Sequence, residues 1–338
     1  MGDSIKIRKM KVLFIGGTGN ISTSCSILAL ERGIDLYHLN RGISGEKIHG
    51  VTSIKADINN KEEMLKALED QDFDVVVDWI AFIPEDVKRD YEIFKGRTKQ
   101  FIFISSASAY QKPLSEPRIT ESTPLANPVW EYSQNKIACE DYLMQKYRKD
   151  GFPVTIVCPS HTYRVVFPIA VGDWRGYWLI DRIKKGKEIV VHGDGTSLWV
   201  LTHSEDFAKG FVGLLGNIHA IGHAFHITSD ELLTWNQIYE IIAGAVGMKA
   251  NIIHIPSDLI MKYDIETGAG LLGDKAYSVI FNNTKIKTFV PGFKATIPFT
   301  EGIKKVLDWF DEDETRKKIN PKDEKFMDNL IRLYLQSR

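Results

Sequence analysis

The stretch "KVLFIGGTGNISTS", Lys11 to Ser24, constrains the fold of this chain more than any other. A short apolar run breaks on a glycine pair, and helical periodicity begins at Ser22 and continues to Arg32. When a strand turns straight into a helix through glycines, the helix's unpaired N–H groups and positive dipole end face the strand's carboxyl edge, where an anion binds. Gly16 permits the tight turn and Gly19 lets the backbone approach a pyrophosphate. The helix start at Asn20 and Ile21 then offers its amides. The spacing is GxxGxxS, and Ser22 is small enough to stand where a third glycine often allows close helix-to-strand packing. A glycine loop alone is a weak signal, so the rest of the chain has to supply a repeating strand and helix pattern.

That pattern is present. "IDLYHLN" (34 to 40), "VTSIKAD" (51 to 57), "FDVVVDWIA" (73 to 81), "KQFIFISS" (99 to 106) and "FPVTIVCP" (152 to 159) read as strands. Several are apolar throughout, as expected of parallel strands covered on both faces. Between them, Ser22 to Arg32, Asn60 to Asp70, Glu85 to Lys95 and Glu131 to Lys149 carry helical periodicity. The implied fold is α/β, a Rossmann-type doubly wound parallel sheet. After Pro159 the rhythm loosens. Helices are expected near Trp174 to Lys185, near Ser204 to Leu215, and over "TWNQIYEIIAGAVG" with Thr234 as N-cap; "EIVVHG" and "HAFHIT" read as strands. Further helices are expected near Thr300 to Phe310 and over the amphipathic stretch after Pro321. Residues 1–165 are therefore expected to form the nucleotide-binding domain. Residues 166–338 form a smaller, mostly helical substrate part with segments that return to the first.

Composition narrows the partners. The 338 residues are 43% hydrophobic and 26% charged, with a net charge of −1, which gives no overall electrostatic case for nucleic acid or membrane. No apolar run approaches the roughly 18 residues of a membrane span. The N-terminal "MGDSIKIRKMK" lacks an apolar leader core, and position 6 lacks the hydroxyl residue of a myristoylation signal. Cys25, Cys139 and Cys158 sit in mostly apolar segments without metal-type spacing and read as reduced structural thiols, which points to a cytoplasmic location.

The end of the second strand reports on the cofactor. NAD sites usually carry an acidic residue there for the ribose 2′-hydroxyl, whereas a 2′-phosphate calls for a cation. This chain has Asn40 and Arg41 in "LNRG", which favours NADP over NAD; Arg41 also reads as a solvated loop residue able to stack on adenine. Asp57, ending the third strand, either accepts from the adenine amino group or caps a turn.

"GGTGNIS", "DWIA", "FIFISSASAY", "YSQNK", "CPSHTY" and "GDGTSLWVLTHSEDFA", in this order, cover most of residues 11 to 228. Together they resemble the extended and atypical short-chain dehydrogenase/reductases, the NAD-dependent epimerase/dehydratase group. The resemblance implies a reaction centre of Ser106, Tyr132 and Lys136. It also implies cofactor contacts from Ile58, Ala81, Ser105, Pro159 and Ser160, with Tyr132 and Lys136 reaching the nicotinamide ribose. Tyr132 and Lys136 lie one helical turn apart, so both can face one ligand. A free phenol has a pKa near 10, and the expectation is that the Lys136 ammonium and an oxidised nicotinamide lower it. Tyr132 then exchanges a proton with the substrate hydroxyl while Ser106 holds its oxygen.

Departures from the family concern the substrate, for which Ser108, His161 and Trp199 are the candidate contacts. Where dehydratases of the group carry an acidic pair, this chain has Ala107 and Ser108. Redox or redox-based epimerisation is therefore expected in place of dehydration. Where nucleotide-sugar members carry a phosphate-binding arginine, it has Trp199, which either stacks on a ring or packs in the core. His161 replaces a pattern asparagine, and Cys158 an arginine. His161, His192 and His203 lack tight metal-ligand spacing, so no metal site is expected. The expected partner is a small-molecule substrate, and the family resemblance makes a homodimer possible. The competing reading is a non-catalytic or RNA-associated relative, because the sequence also resembles the chloroplast stem-loop RNA-binding members.

Overall fold

A computed structural model describes residues 8–42 and 47–337. The position-6 reading thus lies outside the described residues. Seven strands, β1 (Lys11–Ile15), β2 (Asp35–Asn40), β3 (Thr52–Lys55), β4 (Phe73–Asp78), β5 (Thr98–Ile104), β6 (Val154–Pro159) and β7 (Ala224–Ile227), form one parallel sheet. Their order is β7-β6-β5-β4-β1-β2-β3. The strand order reverses between β1 and β4, and a ligand crevice opens there at the carboxyl edge.

Five helices cover the sheet: α1 (Ser22–Glu31), α2 (Lys61–Ala67), α3 (Pro84–Phe94), α4 (Glu131–Asp150) and α5 (Ser204–Leu214). Because side chains alternate along a strand, a strand buried on both faces needs apolar residues at every position. Val12, Phe14, Val75, Val77 and Ile102 pack with Phe207 and Phe211 of α5 on one face. Leu13, Ile15, Val76, Phe101 and Phe103 pack with Val87, Tyr91, Cys139 and Leu143 of α3 and α4 on the other. This double burial is the physical origin of the unbroken apolar runs. Cys25, Cys139 and Cys158 are free and buried.

β4 and β5 stop short of their expected ends, each for a visible reason. β4 was expected to reach Ala81, but the Asp78 carboxylate accepts the Ile80 and Ala81 N–H groups at 2.6 and 2.8 Å and turns the chain. β5 was expected to reach Ser106, but the Ser106 hydroxyl accepts the Ser108 N–H at 3.2 Å and starts a 3₁₀ turn over Ala107–Ala109. The helix expected from Trp174 spans only Trp178–Lys184. Asp173 holds the preceding turn by accepting the Arg175 N–H at 3.0 Å and the Trp178 indole N–H at 2.6 Å.

The second half has its own core, in which Trp178, Trp235, Tyr239, Ile242 and Phe310 are buried together. Thr234 caps the helix Trp235–Ala245 in a capping box with Gln237. Two short parallel pairs, His161–Tyr163 with Leu201–His203 and Ile189–His192 with Ile252–Ile255, stand outside the main sheet. Helices Ser257–Tyr263 and Ile265–Gly270, followed by a π-helical turn Leu271–Lys275, have no counterpart in the sequence reading. Among the described residues no helix is long and apolar enough to cross a membrane.

Candidate active site

Two cavities open at the carboxyl edge. The smaller, about 260 Å³, is lined by Gly16, Thr18, Asn40, Arg41, Asp57 and Ile58 among others, which gathers most residues expected around an adenosine. Gly16 has φ +88° and Gly17 φ +143°, and a Cβ on Gly17 would lie 2.5 Å from the His38 ring. The requirement for glycine at 17 was not singled out from sequence, although the doubled glycine was its signal. Gly19 keeps ordinary backbone angles and donates its N–H to Ser22 Oγ at 2.8 Å. Ser22 therefore orders the loop as well as packing closely.

The helix begins at Ser22, where the periodicity placed it, with Ile21 at its N-cap. Asn20 donates its amide to the Thr162 carbonyl at 2.9 Å, tying the loop to the short strand His161–Tyr163, while its Oδ1 is buried without a partner. That orphaned acceptor and the glycine cradle fit a bound nucleotide. Asn40 Oδ1 accepts the Gly42 N–H at 3.0 Å, and Asp57 Oδ1 accepts the Asn59 N–H at 3.0 Å. Asp57 thus caps a turn, as one of its two readings held.

The larger cavity, about 440 Å³, is lined by Ser106, Ser108, Tyr132, Pro159, Ser160, His161 and Trp199, and closed by residues of the second half. Ser106 Oγ and Ser108 Oγ are 2.9 Å apart, and Ser133 Oγ donates to Ser108 Oγ at 2.7 Å. A line of hydroxyls therefore runs from α4 to the end of β5. Tyr132 stacks obliquely on Trp130 with centroids 4.9 Å apart. Burial raises its pKa, against a lowering by the Ser106 hydroxyl.

Lys136 is placed differently from the expectation. Its Nζ donates to the carbonyls of Ala81 and Ile104 at 2.7 and 2.8 Å and lies 5.8 Å from the Tyr132 ring centroid. The ammonium is committed to backbone, and burial raises the phenol in the chain alone, whereas the lowering expected from the sequence drew on Lys136 together with an oxidised nicotinamide. Burial lowers Lys136 itself to about 8. Ser105 turns away from the cavity and donates to the buried Glu140 carboxyl. Burial pushes Glu140 up to about 7 against the pull of that bond.

Trp199 is almost fully buried and donates its indole N–H to His161 Nδ1 at 3.1 Å. It packs on Trp235 with centroids 5.2 Å apart, the core alternative of its two readings. His192 faces the Lys275 carbonyl, and His203 Nδ1 accepts the Glu205 N–H, so the three histidines serve separate places. Among the described residues no group of three or more His, Cys, Asp or Glu side chains is arranged to hold a metal. Sequence reasoning missed Trp130, Trp174, Glu266, Asp274 and Lys275, all of which line the larger cavity. Only Trp130, two residues before Tyr132, carried a sequence signal.

A model of the NAD dependent epimerase/dehydratase family matches residues 12–228. The chain belongs to that family. Among curated members, 2′-dehydrokanamycin reductase of Streptomyces kanamyceticus is 25% identical over 256 residues, covering 74% of this chain and 70% of the relative. The chloroplast stem-loop binding protein of 41 kDa b of Arabidopsis thaliana is 26% identical, covering 72% and 65%. Among solved structures, an epimerase of Methanothermobacter thermautotrophicus superposes with a TM-score of 0.74 at 16% identity, over 91% of this chain and 94% of that one. A Thermus thermophilus UDP-glucose 4-epimerase complexed with NAD gives 0.68 at 20%, over 89% and 99%. At these identities the structural likeness is one of fold.

Proposed function

We propose that this family member is an NAD(P)-dependent oxidoreductase or epimerase acting on a hydroxyl or keto group of a sugar-like small molecule. The observation that carries the reading is that Ser106 and Tyr132 meet on one cavity wall with Lys136 fixed directly behind them. When bound, a nicotinamide cofactor supplies the hydride exchange. Gly16, Thr18, Asn20 and Ile21 would hold its pyrophosphate end, with Asn40, Arg41, Asp57 and Ile58 around the adenosine. Ala81, Lys136, Pro159 and Ser160 would stand at the nicotinamide end.

In this reading Ser106 donates to the substrate oxygen and the Tyr132 phenol exchanges the proton. The Ser108 and Ser133 hydroxyls keep Ser106 oriented. Ala107 and Ser108 bring no carboxylate beside Ser106, and Asp274, which also lines the cavity, is ion-paired to Lys112 at 3.2 Å. Both facts favour redox chemistry over elimination. Tyr132→Phe should lower turnover by about 10²- to 10⁴-fold and leave cofactor binding intact. Full activity in that variant would sink the reading.

NADP is the favoured cofactor, because Arg41 lines the adenosine cavity and no carboxylate replaces Asn40 at the end of β2. Greater thermal stabilisation by NAD than by NADP at equal concentration would reverse that preference.

A further inference from the structure

The wall facing Ser106 and Tyr132 carries polar atoms that the hydroxyl chemistry does not use. His161 Nδ1 accepts the Trp199 indole N–H, and an indole nitrogen can only donate. Nδ1 is therefore the bare nitrogen, and the neutral ring carries its proton on Nε2. Burial, then the charge of Lys275, holds His161 down at about 3, so the ring is neutral across the physiological range. Nε2 bonds to no described residue and is not among the buried orphan atoms, so its N–H faces the cavity.

Lys275 supplies the second feature. It ends the π-helical turn, a conformation that often marks functional sites. Its main-chain carbonyl accepts His192 Nε2 at 3.0 Å and the Trp235 indole N–H at 3.1 Å, which fixes the backbone from behind. Its Nζ stands 5.1 Å over the Trp130 ring, and no carboxylate of a described residue lies within ion-pair distance. The neighbouring acids are engaged elsewhere, Asp274 with Lys112 and Glu266 with the Trp130 indole N–H at 3.1 Å. A cation over an aromatic face keeps its N–H donors available. The lysine would serve as an ordinary half-buried cation if the cavity offered it nothing. Here it lines the cavity wall that also carries a fixed neutral N–H.

We propose that the cavity takes a substrate bearing one carboxylate, a sugar acid, whose carboxylate is held by Lys275 Nζ and His161 Nε2–H. This rests on the oxidoreductase reading of the same site. A nucleoside diphosphate fits poorly, since two phosphates call for a cationic fork and no arginine lines this cavity. Trp199 and His161 thus replace the family's charged anchor by a hydrogen-bonded pair, and Lys275 returns a single positive charge from another segment.

The test titrates D-galacturonate, D-galactose and galactose 1-phosphate into the NADP-loaded protein by calorimetry. The acid should bind at least about tenfold more tightly than the neutral sugar. Lys275→Met, which keeps the stem on Trp130, should remove that preference and leave galactose and NADP binding unchanged. Equal binding of acid and neutral sugar by the native protein would overturn the proposal. So would unchanged galacturonate affinity in Lys275→Met, or tighter binding of the phosphate than of the acid. Turnover of Tyr132→Phe separates the two claims, since activity there refutes the reaction-centre reading while carboxylate binding stands or falls on Lys275.

Discussion

Lys136 and Lys275 are both drawn into the interior beside one cavity, and the protein handles them in opposite ways. Lys136 gives hydrogen bonds to the carbonyls of Ala81 and Ile104. Lys275 rests on the Trp130 ring and uses its own carbonyl, not its ammonium, to bind the scaffold. The same contrast extends to their neighbourhoods. On the α4 and β5 side, Ser105, Glu140, Ser108 and Ser133 bond to one another's regions, leaving a rigid centre. On the opposite wall, the Lys275 ammonium and the His161 Nε2–H are left for something that enters. Committed polar groups hold geometry, and uncommitted ones select ligands.

The largest expected effect on this contrast comes from Glu140. Its folded pKa of about 7 lies above the ordinary value of 4.5, so the native state binds the extra proton between those values. Stability from this group is complete below pH 4.5 and is lost as pH rises through 7, by an amount on the order of 3 kcal/mol. Urea denaturation across that window should show Glu140→Gln flattening the decline. An unchanged slope would mean the carboxyl is not part of the committed side.

Next in size is Lys136→Met, which leaves two buried carbonyls without their donor. Unfolding free energy should fall by roughly 1–3 kcal/mol, measured in urea near neutral pH. The folded pKa of about 8 is below the ordinary value of 10.5, so this lysine's contribution should rise with pH between those values and vanish in the variant.

Trp199→Phe falls between the two lysine variants, because it deletes one neutral hydrogen bond and should cost about 1 kcal/mol while keeping the aromatic packing on Trp235. Lys275→Met should change stability by no more than about 0.5 kcal/mol, because no buried acceptor loses a partner. A loss as large as that of Lys136→Met would erase the distinction between the two walls.

The committed side was far more legible in the sequence. Strands buried on both faces write themselves as apolar runs, so β1, β2, β5 and β6 lie within two residues of their expected bounds. Tyr132 and Lys136 stood out less through their spacing, one helical turn within α4, than through the family motifs around them. What Lys136 bonds to was not legible, since its partners are main-chain carbonyls that any sequence possesses. The opposite wall left little trace. The glycines of "IETGAGLLGDK" allow two short helices to touch, and a Cβ on Gly268 would lie 2.1 Å from Met261 Cα. Close contact between helices leaves no amphipathic period to detect. Nothing in the letters distinguishes Lys275 from a solvated lysine, and Trp199 revealed its role only when its indole N–H met His161.

The anchoring of residue 275 through its carbonyl has an evolutionary consequence. Trp235 and His192 grip an atom that every amino acid carries, so the position is displayed at the same place whatever its side chain. A single codon change there can present a different group at the cavity without disturbing the proposed Ser106–Tyr132 centre across it. The fold thus holds a socket for new selectivity next to chemistry that stays as it is.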